Sequence, residues 1–332
     1  IPSCVPGSDA MMTITANGGT TNYQYSIGGP NQSSNVFSNL GPATYTVQLT
    51  DANACSVTSV YAIVSPNAPV ITLATASIVS CHGGNDAVIQ VTGNGGTGLL
   101  TYTLQPGAIN NTNGTFNGLN ANTYSVTITD AIGCSISTVL VVTEPSAVVW
   151  DSSFTQNISC FGGNNGNIST YASGGTGAIQ YTLQPGAINN TTGQFNGLLA
   201  GSFTITATDA NNCSISTTLQ LTEPPILAWT SNTQTNVSCN GGNDASITVT
   251  TSGGTGTITY LLQPGNVSDT SGNFTGLTAN TYTVLATDAN GCSITTTLQI
   301  TEPSVLQISS VVSTIPSCVP GSDAMMTITA NG

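Results

Sequence analysis

Short segments in which apolar and polar residues alternate recur along the whole chain. Residues 87–92 and 124–129 are the clearest, because every second side chain there is apolar. Similar segments lie near 71–76, 99–104, 115–117 and 135–142, and turn-forming Gly, Pro and Asn residues separate them. No window of ten residues has the periodicity of a helix. The pattern therefore predicts an all-β fold built from short strands.

The pattern of strands is itself repeated. Cysteines fall in pairs, and the first cysteine of each pair recurs at steps of 77, 79, 79 and 79 residues. A Thr-Glu-Pro motif closes the units that end near residues 145, 224 and 303. We therefore divide the chain into repeats 1 (residues 1–68, lacking its N-terminal strand), 2 (69–146), 3 (147–225), 4 (226–304) and the start of repeat 5 (305–332).

A second, longer period lies above the first. Residues 315–332 are identical to residues 1–18, so four repeats make a period of 314 residues. Eighteen identical residues do not arise by chance. We expect the parent protein to carry several such blocks, or to form a long regular fibre.

Several short strands at regular spacing indicate a β-sandwich in each repeat, of about 79 residues. Tyr45, Tyr124 and Tyr282 each follow a leucine by five residues, which is the spacing of the tyrosine corner in immunoglobulin-like sandwiches; the equivalent Phe203 has no hydroxyl. The linkers are short and contain proline, so we expect the tandem repeats to form an elongated, semi-rigid rod.

The composition excludes several functions. Only 4% of the residues are charged, and Lys and Arg are absent. Nucleic acid binding depends on cations at phosphates, so no nucleic acid partner is expected. Anionic membrane surfaces are disfavoured for the same reason, and without a run of 18 apolar residues no direct membrane insertion is expected.

The repeats resemble the SprB repeat of Bacteroidetes cell-surface proteins. The matching motifs are S-C-x-G-G-x-D at residues 80–86 and 238–244, G-G-T-G before a tyrosine, L-x4-Y-x-V-x2-T-D-A-x2-C, and the closing T-E-P. Repeat 1 departs most, with Val-Pro-Gly-Ser at 5–8 and Ser-Pro at 65–66, and repeat 3 has Asn165 in place of aspartate. The resemblance implies a long surface protein exported by type IX secretion that serves in adhesion, gliding motility or extracellular filaments.

The cysteines are expected to form disulfide bonds in an oxidising, extracellular setting. If the strands that follow the two cysteines of a repeat run in the same direction, both cysteines lie at one end of the sandwich. The predicted pairs are then Cys4–Cys55, Cys81–Cys134, Cys160–Cys213 and Cys239–Cys292, with the partner of Cys318 outside the chain. Zinc is the alternative, but two cysteines per repeat and one histidine in the chain are a poor ligand set.

Recurring carboxylates have two interpretations. Hard oxygen ligands near the repeat junctions could bind calcium, the one cofactor considered. Aspartates could instead cap turns by accepting hydrogen bonds from backbone N–H groups, which the absence of a D-x-D loop favours. The candidate calcium ligands are Asp86, Asp130, Glu144, Asp209, Glu223, Asp244, Asp288 and Glu302.

Trp150 and Trp229 lie 79 residues apart, just after the closing motifs. Exposed, they could stack on sugars, but we expect them to pack between consecutive repeats. His82 is the only histidine and is replaced by Phe161 and Asn240 in other repeats, so no catalytic role is predicted for it. No catalytic motif stands in a suitable context, and the chain is not expected to be an enzyme.

The sequence thus predicts the structural shaft of an extracellular surface fibre or adhesin, giving reach, rigidity and protease resistance. Its expected partners are other copies of itself or neighbouring repeats, with glycans or surfaces as further candidates. Two alternatives stay open. The repeats could be tandem carbohydrate-binding modules, or a passive stalk for an enzyme elsewhere in the parent chain.

Overall fold

The computed structural model describes residue 4, residues 7–315 and residues 323–332. The described residues form 28 β-strands and no helix, so the fold is all-β as predicted. Accordingly, this part of the chain contains no helix that meets the length and hydropathy of a membrane span.

Repeat 2 has seven strands in two antiparallel sheets. One sheet has the order β10-β7-β6 and the other the order β12-β11-β8-β9. The strands are β6 (Pro69–Ala76), β7 (Ala87–Gly95), β8 (Thr101–Gln105), β9 (Ile109–Asn111), β10 (Thr115–Leu119), β11 (Asn122–Thr129) and β12 (Ser135–Val142). This is the seven-stranded arrangement of an immunoglobulin-like sandwich.

Repeats 3 and 4 have the same strand order. Repeat 3 comprises β13 (Val149–Gln156), β14 (Gly166–Ser173), β15 (Gln180–Gln184), β16 (Ile188–Asn190), β17 (Gln194–Leu198), β18 (Gly201–Thr208) and β19 (Ser214–Leu221). Repeat 4 comprises β20 (Ala228–Thr235), β21 (Ala245–Ser252), β22 (Thr259–Gln263), β23 (Val267–Asp269), β24 (Asn273–Leu277), β25 (Asn280–Thr287) and β26 (Ser293–Ile300). We call the first strand of a repeat (β6, β13, β20) its opening strand and the last (β12, β19, β26) its closing strand.

Repeat 1 lacks an opening strand among its described residues. It comprises β1 (Ala10–Thr13), β2 (Gln24–Ser26), β3 (Val36–Leu40), β4 (Ala43–Thr50) and the closing strand β5 (Ser56–Ile63). Its first sheet therefore has only β1 and β3, and its second has the order β2-β4-β5. The final strands, β27 (Gln307–Ser313) and β28 (Met326–Asn331), form a two-stranded sheet of their own.

Alternation along the strands builds the core between the two sheets. In repeat 2, Ile89 and Val91 from one sheet meet Leu104, Val126 and Ile128 from the other, and all five are fully buried. The neighbouring residues on each strand face outward, as the period of a strand requires. Repeat 4 has the equivalent core, with Ile247, Val249, Leu262, Val284 and Ala286 buried to within 1%.

The predicted tyrosine corner is present. The Tyr124 hydroxyl donates to the carbonyl of Asn120, Tyr45 to Gly41, and Tyr282 to Thr278, in each case four residues back along the chain. These bonds fix the turn that leads into β11 and its equivalents. Phe203 occupies the same buried position without a hydroxyl.

By its internal contacts the chain divides into two compact units. The first comprises residues 1–149 with 173–179 and 208–214, and the second comprises residues 150–172, 180–207 and 215–332. Repeats 1 and 2 lie in the first unit and repeat 4 in the second, while repeat 3 contributes to both. The repeat boundaries drawn from the sequence thus remain a proposal.

Candidate functional site

The disulfide bonds join consecutive repeats. They link Cys4 to Cys134, Cys81 to Cys213, and Cys160 to Cys292, with Cα–Cα distances of 4.9, 5.6 and 5.6 Å. In each, the first cysteine of one repeat pairs with the second cysteine of the next. The predicted pairs Cys4–Cys55, Cys81–Cys134, Cys160–Cys213 and Cys239–Cys292 are therefore wrong.

The reason lies in the direction of the closing strand. Cys134 directly precedes β12, whereas the loop that holds Cys81 is bound to the end of β12 by a hydrogen bond from Val79 N to Thr143 O. Eight extended residues separate the two cysteines by about 25 Å, far beyond the reach of a disulfide. The strands that follow the two cysteines start at opposite ends of the sandwich, so the condition for pairing within a repeat is not met.

An aspartate holds the second cysteine of each repeat in a tight turn. In repeat 2, Asp130 Oδ1 accepts hydrogen bonds from the backbone N–H groups of Ile132 and Cys134, and Oδ2 accepts one from Thr97 N at 2.8 Å. Asp51, Asp209 and Asp288 make the equivalent set. The carboxylate thereby ties the turn before the closing strand to the Gly-Gly-Thr-Gly loop.

These hydrogen bonds also set the ionisation of the carboxyls. Burial opposes the charged form of Asp130, but the bonds from Thr97, Cys134 and Ile132 outweigh it, and the pKa lies below its usual value. The pKa of Asp209 is lowered in the same way. At Asp51 the bond from Thr20 is the largest cause of a lowered pKa. Since protonation would weaken these bonds, each turn is held most firmly by the ionised carboxylate.

Two other carboxylates shape the loop of the first cysteine. In repeat 2, Asp86 Oδ1 accepts from Ser80 N at 2.9 Å, and Glu144 Oε2 accepts from Gly83 N at 2.6 Å. A side-chain hydrogen bond from Ser80 lowers the pKa of Asp86, and His82 Nδ1 lies 3.2 Å from Glu144 Oε1. Asp244, Glu223 and Glu302 act in the same way in repeats 3 and 4. The Thr-Glu-Pro motif therefore fastens this loop to the end of the closing strand.

Hydrogen bonds accompany the disulfides across the boundary between repeats. Asn211 Nδ2 donates to Ser80 O at 2.9 Å beside Cys81–Cys213, and Asn290 Nδ2 donates to Ser159 O at 3.0 Å beside Cys160–Cys292. The linker takes part as well, since Gly175 N donates to Ser146 O at 2.9 Å. The Asn at the position two before the second cysteine was not singled out from the sequence.

The arrangement favours turn capping over calcium binding at the eight candidate ligands. The bonds already described direct their oxygens to backbone N–H groups, and the Ser238 hydroxyl also donates to Asp244 Oδ2. Within the described residues, no three His, Cys, Asp or Glu side chains come together as a metal site would require.

The two tryptophans pack inside their own repeats, so the prediction that they pack between repeats is wrong. Trp229 lies on the opening strand β20, 6.3 Å from the ring of Tyr260, and its Nε1 donates to Thr295 O of the closing strand at 3.2 Å. Trp150 lies 6.3 Å from Tyr181 in repeat 3. Both side chains fill the space between the opening strand and the opposite sheet of the same repeat.

Two described cysteines are unpaired and exposed. Cys55 is the second cysteine of repeat 1, and Cys239 is the first cysteine of repeat 4. Each stands where the observed pairing rule requires a cysteine from a neighbouring repeat. Cys318, expected to pair outside the chain, lies outside the described residues.

Comparison with known proteins identifies the repeat motif. The SprB repeat model matches residues 2–32, 152–188 and 231–267. No curated protein matches the chain.

Among solved structures, the chain is similar to a Ca²⁺-stabilized adhesin with which an Antarctic bacterium binds ice, at 16% identity over 89% of this chain and 91% of that one, with a TM-score of 0.40. It is also similar to Sidekick-1 immunoglobulin domains 1–5, at 14% identity over 88% and 76% of the two chains, with a TM-score of 0.32. Because both TM-scores are low, we assign the architecture of each repeat from its own strand order and not from these structures.

Proposed function

Since the chain carries repeats of the SprB family, we propose that it is the tension-resistant shaft of a long bacterial surface protein. SprB repeats and disulfide bonds point to an extracellular or cell-surface location. Type IX secretion, and service in adhesion, gliding motility or filaments, belong to the same proposal. In this role the repeats form an elongated rod that carries an adhesive or motile element away from the cell.

One observation carries the proposal: every observed disulfide links a repeat to the next one. A disulfide within a repeat would stabilise that repeat but leave each linker as the weakest point. Here the linkers after repeats 1, 2 and 3 are each bridged by an S–S bond between the flanking repeats. Tension applied along the chain therefore reaches covalent bonds at each of these boundaries.

The disulfide connectivity limits how far the chain can be extended. From Cys4 the shortest path crosses to Cys134, follows the backbone for 26 residues to Cys160, and crosses to Cys292. Twenty-six residues span at most about 90 Å. The direct backbone between Cys4 and Cys292 is 288 residues long and spans about 1,000 Å when fully extended.

The surface suits exposure outside the cell. With no Lys or Arg, the chain offers no site to trypsin-like proteases. Trp150 and Trp229, which were considered as sugar-stacking residues, instead pack against Tyr181 and Tyr260 of their own repeats. The shaft needs no catalytic group.

Single-molecule stretching of the oxidised chain, held by handles at its two ends, tests the proposal. We expect the segment between Cys4 and Cys292 to stop lengthening at about 90 Å under high force, and to reach about 1,000 Å after reduction. Equal contour lengths with and without reductant would show that these bonds do not carry tension, and the proposed role would be lost.

A further inference from the structure

Two exposed aromatic residues lie on one sheet of repeat 3. Phe154 is on the opening strand β13 and Tyr171 is on the neighbouring strand β14, and their side chains are 63% and 41% exposed. On β14 the buried residues are Ile168 and Thr170, so Tyr171 points away from the core, onto the outer face of the sheet.

The register of the sheet places the two rings side by side. Repeat 4 has Thr233 and Thr250 at these positions, 79 residues later in the chain. There Thr233 lies directly opposite Thr248, and Thr250 follows two residues along the same strand. Phe154 and Tyr171 are therefore diagonal neighbours on the same face, about 7–8 Å apart, which is within reach of aromatic side chains.

The sandwich does not require aromatic residues at these two positions. Repeat 2 has Thr75 and Thr92 there, and repeat 4 has Thr233 and Thr250, yet all three repeats have the same strand order. A cross-strand aromatic pair can stabilise a sheet, but rings as exposed as these leave much of their surface open to a partner. The pair is thus an addition to the shared framework, made in repeat 3.

Amide side chains continue this face beside the rings. On strand β17, Gln194 lies opposite Ser169, and Asn196 lies opposite Asn167. Gln194 Nε2 donates to the Tyr171 hydroxyl at 3.4 Å, and Asn167 Nδ2 donates to Asn196 Oδ1. Each amide has two donors and two acceptor lone pairs, so these bonds position the side chains and leave capacity for further hydrogen bonds. We call Phe154, Tyr171, Asn167, Gln194 and Asn196 the aromatic face.

The charge on this sheet limits the kind of partner. Its three strands contain no cationic residue and one carboxylate, that of Asp151. An anionic partner would find no cation to pair with and would be repelled by Asp151. The partner that fits is uncharged, with apolar surface for the rings and hydroxyl groups for the amides.

We propose that the aromatic face of repeat 3 binds a neutral glycan built of hexopyranose rings. The C–H groups on one side of a pyranose ring form an apolar, weakly positive surface, which packs on the negative face of an aromatic ring. The sugar hydroxyls both donate and accept hydrogen bonds, as the amides of Gln194, Asn167 and Asn196 do.

The spacing of the rings indicates an oligomeric ligand. Phe154 and Tyr171 are too far apart to share one sugar ring face to face, so they contact neighbouring sugars of one extended chain. The site goes beyond the proposed function and does not depend on it, since a shaft bears tension with or without a glycan on its side.

Isothermal titration calorimetry of the oxidised 332-residue chain with neutral hexasaccharides tests the proposal. The probes are cellohexaose, laminarihexaose, mannohexaose and chitohexaose, and hexagalacturonate is the anionic counterpart. We expect at least one neutral probe to bind at one site per chain, and hexagalacturonate to bind at least about tenfold more weakly than that probe.

Two single variants remove the rings without disturbing the fold. Phe154→Thr and Tyr171→Thr restore the residue type that repeats 2 and 4 carry, so the sandwich should form unchanged. Each should weaken binding by about fivefold, and the two together should abolish measurable binding. Phe161→Asn is the matched control, because Phe161 is 53% exposed on a loop of the same repeat and Asn240 stands there in repeat 4. The control should bind with unchanged affinity.

The converse substitutions test whether the pair of rings is sufficient. Thr233→Phe with Thr250→Tyr places the pair in repeat 4, where Asn273 already supplies an amide at the position of Gln194. We expect the number of binding sites per chain to rise from one to two.

Failure of every neutral probe to bind at millimolar concentration would overturn the proposal. So would equal losses in Phe154→Thr, Tyr171→Thr and Phe161→Asn, tighter binding of hexagalacturonate, or a transplanted pair that adds no site. If removing both rings abolished self-association of the chain and left glycan binding unchanged, the face would be a contact between copies and the proposal would be wrong. None of these results alters the contour lengths measured by stretching, so the shaft and the glycan site are judged separately.

Discussion

Trp150 and Trp229 show how one position can differ between repeats by a single hydrogen bond. Both lie on opening strands, and each has a tyrosine ring at 6.3 Å with nearly the same tilt, 33° and 32°. Trp229 Nε1 donates to Thr295 O, whereas the buried Trp150 Nε1 has no acceptor in the described structure. Unpaired buried donors are costly, so the two indoles stabilise their repeats unequally.

Replacing each tryptophan by phenylalanine exposes this difference. Trp229→Phe removes the hydrogen bond to Thr295 O, whereas Trp150→Phe removes a donor that has no acceptor. We expect Trp229→Phe to destabilise its repeat by about 1–2 kcal/mol more than Trp150→Phe does. Hydrogen exchange of the whole chain, followed by mass spectrometry on peptides of repeats 3 and 4, measures both local losses. Equal losses would mean that the Trp229 hydrogen bond contributes nothing.

At the scale of elements, glycines decide where loops meet strands. Gly241 and Gly272 in repeat 4 have nearly the same left-handed φ, 73° and 72°. A Cβ on Gly241 would meet nothing within 4 Å, but a Cβ on Gly272 would lie 2.3 Å from Val249 O of strand β21. Val249 N donates to Gly272 O at 2.8 Å, so the loop cannot move away without breaking a backbone bond.

Alanine substitutions distinguish the two roles of glycine. Gly241→Ala carries only the strain of a left-handed backbone, about 1–2 kcal/mol. Gly272→Ala carries the same strain and also forces the loop off β21, so we expect a loss of at least about 3 kcal/mol. Faster exchange of the Val249 amide in Gly272→Ala, but not in Gly241→Ala, checks this expectation. Similar exchange in both variants would contradict the steric argument.

The sequence predicted most strands of a repeat, but not every one. Predicted strands near 71–76, 87–92 and 135–142 correspond to β6, β7 and β12. The three-residue edge strand β9 was missed because only its first residue, Ile109, is apolar, so no alternation marks it. Alternation reports which face of a strand is buried, and it contains no information about the direction in which separate strands run.

Because alternation does not give the direction of a strand, the disulfide pairing predicted for the whole molecule was wrong. Cysteine spacing alone fits pairing within a repeat as well as pairing between repeats. Only the antiparallel order of the sandwich places Cys81 and Cys134 at opposite ends of β12. The prediction that the tryptophans pack between repeats failed for a related reason. Both residues are close to a linker in sequence, but each already belongs to the opening strand of the next sandwich.

The order in which the three disulfides connect the repeats leads to one further prediction for the molecule under tension. The path from Cys4 through Cys134 and Cys160 to Cys292 does not use Cys81–Cys213. Removing this middle bond by Cys81→Ser with Cys213→Ser should therefore leave the limit near 90 Å. Without Cys160–Cys292, which Cys160→Ser with Cys292→Ser removes, the shortest path runs from Cys134 back along the backbone to Cys81, crosses to Cys213, and follows the backbone to residue 292. This path contains 132 backbone residues and spans about 450 Å.

Both double variants lose one bond of nearly the same geometry, with Cα–Cα 5.6 Å and a separation of 132 residues in each, so they are matched controls for general destabilisation. Stretching under high force should distinguish them by contour length alone. A fivefold difference between their limiting contour lengths supports a path in which Cys4–Cys134 and Cys160–Cys292 carry the tension and Cys81–Cys213 does not. If both variants lengthen equally, the bonds exchange partners under load, and the extension of the shaft is set by thiol chemistry instead of fixed connectivity.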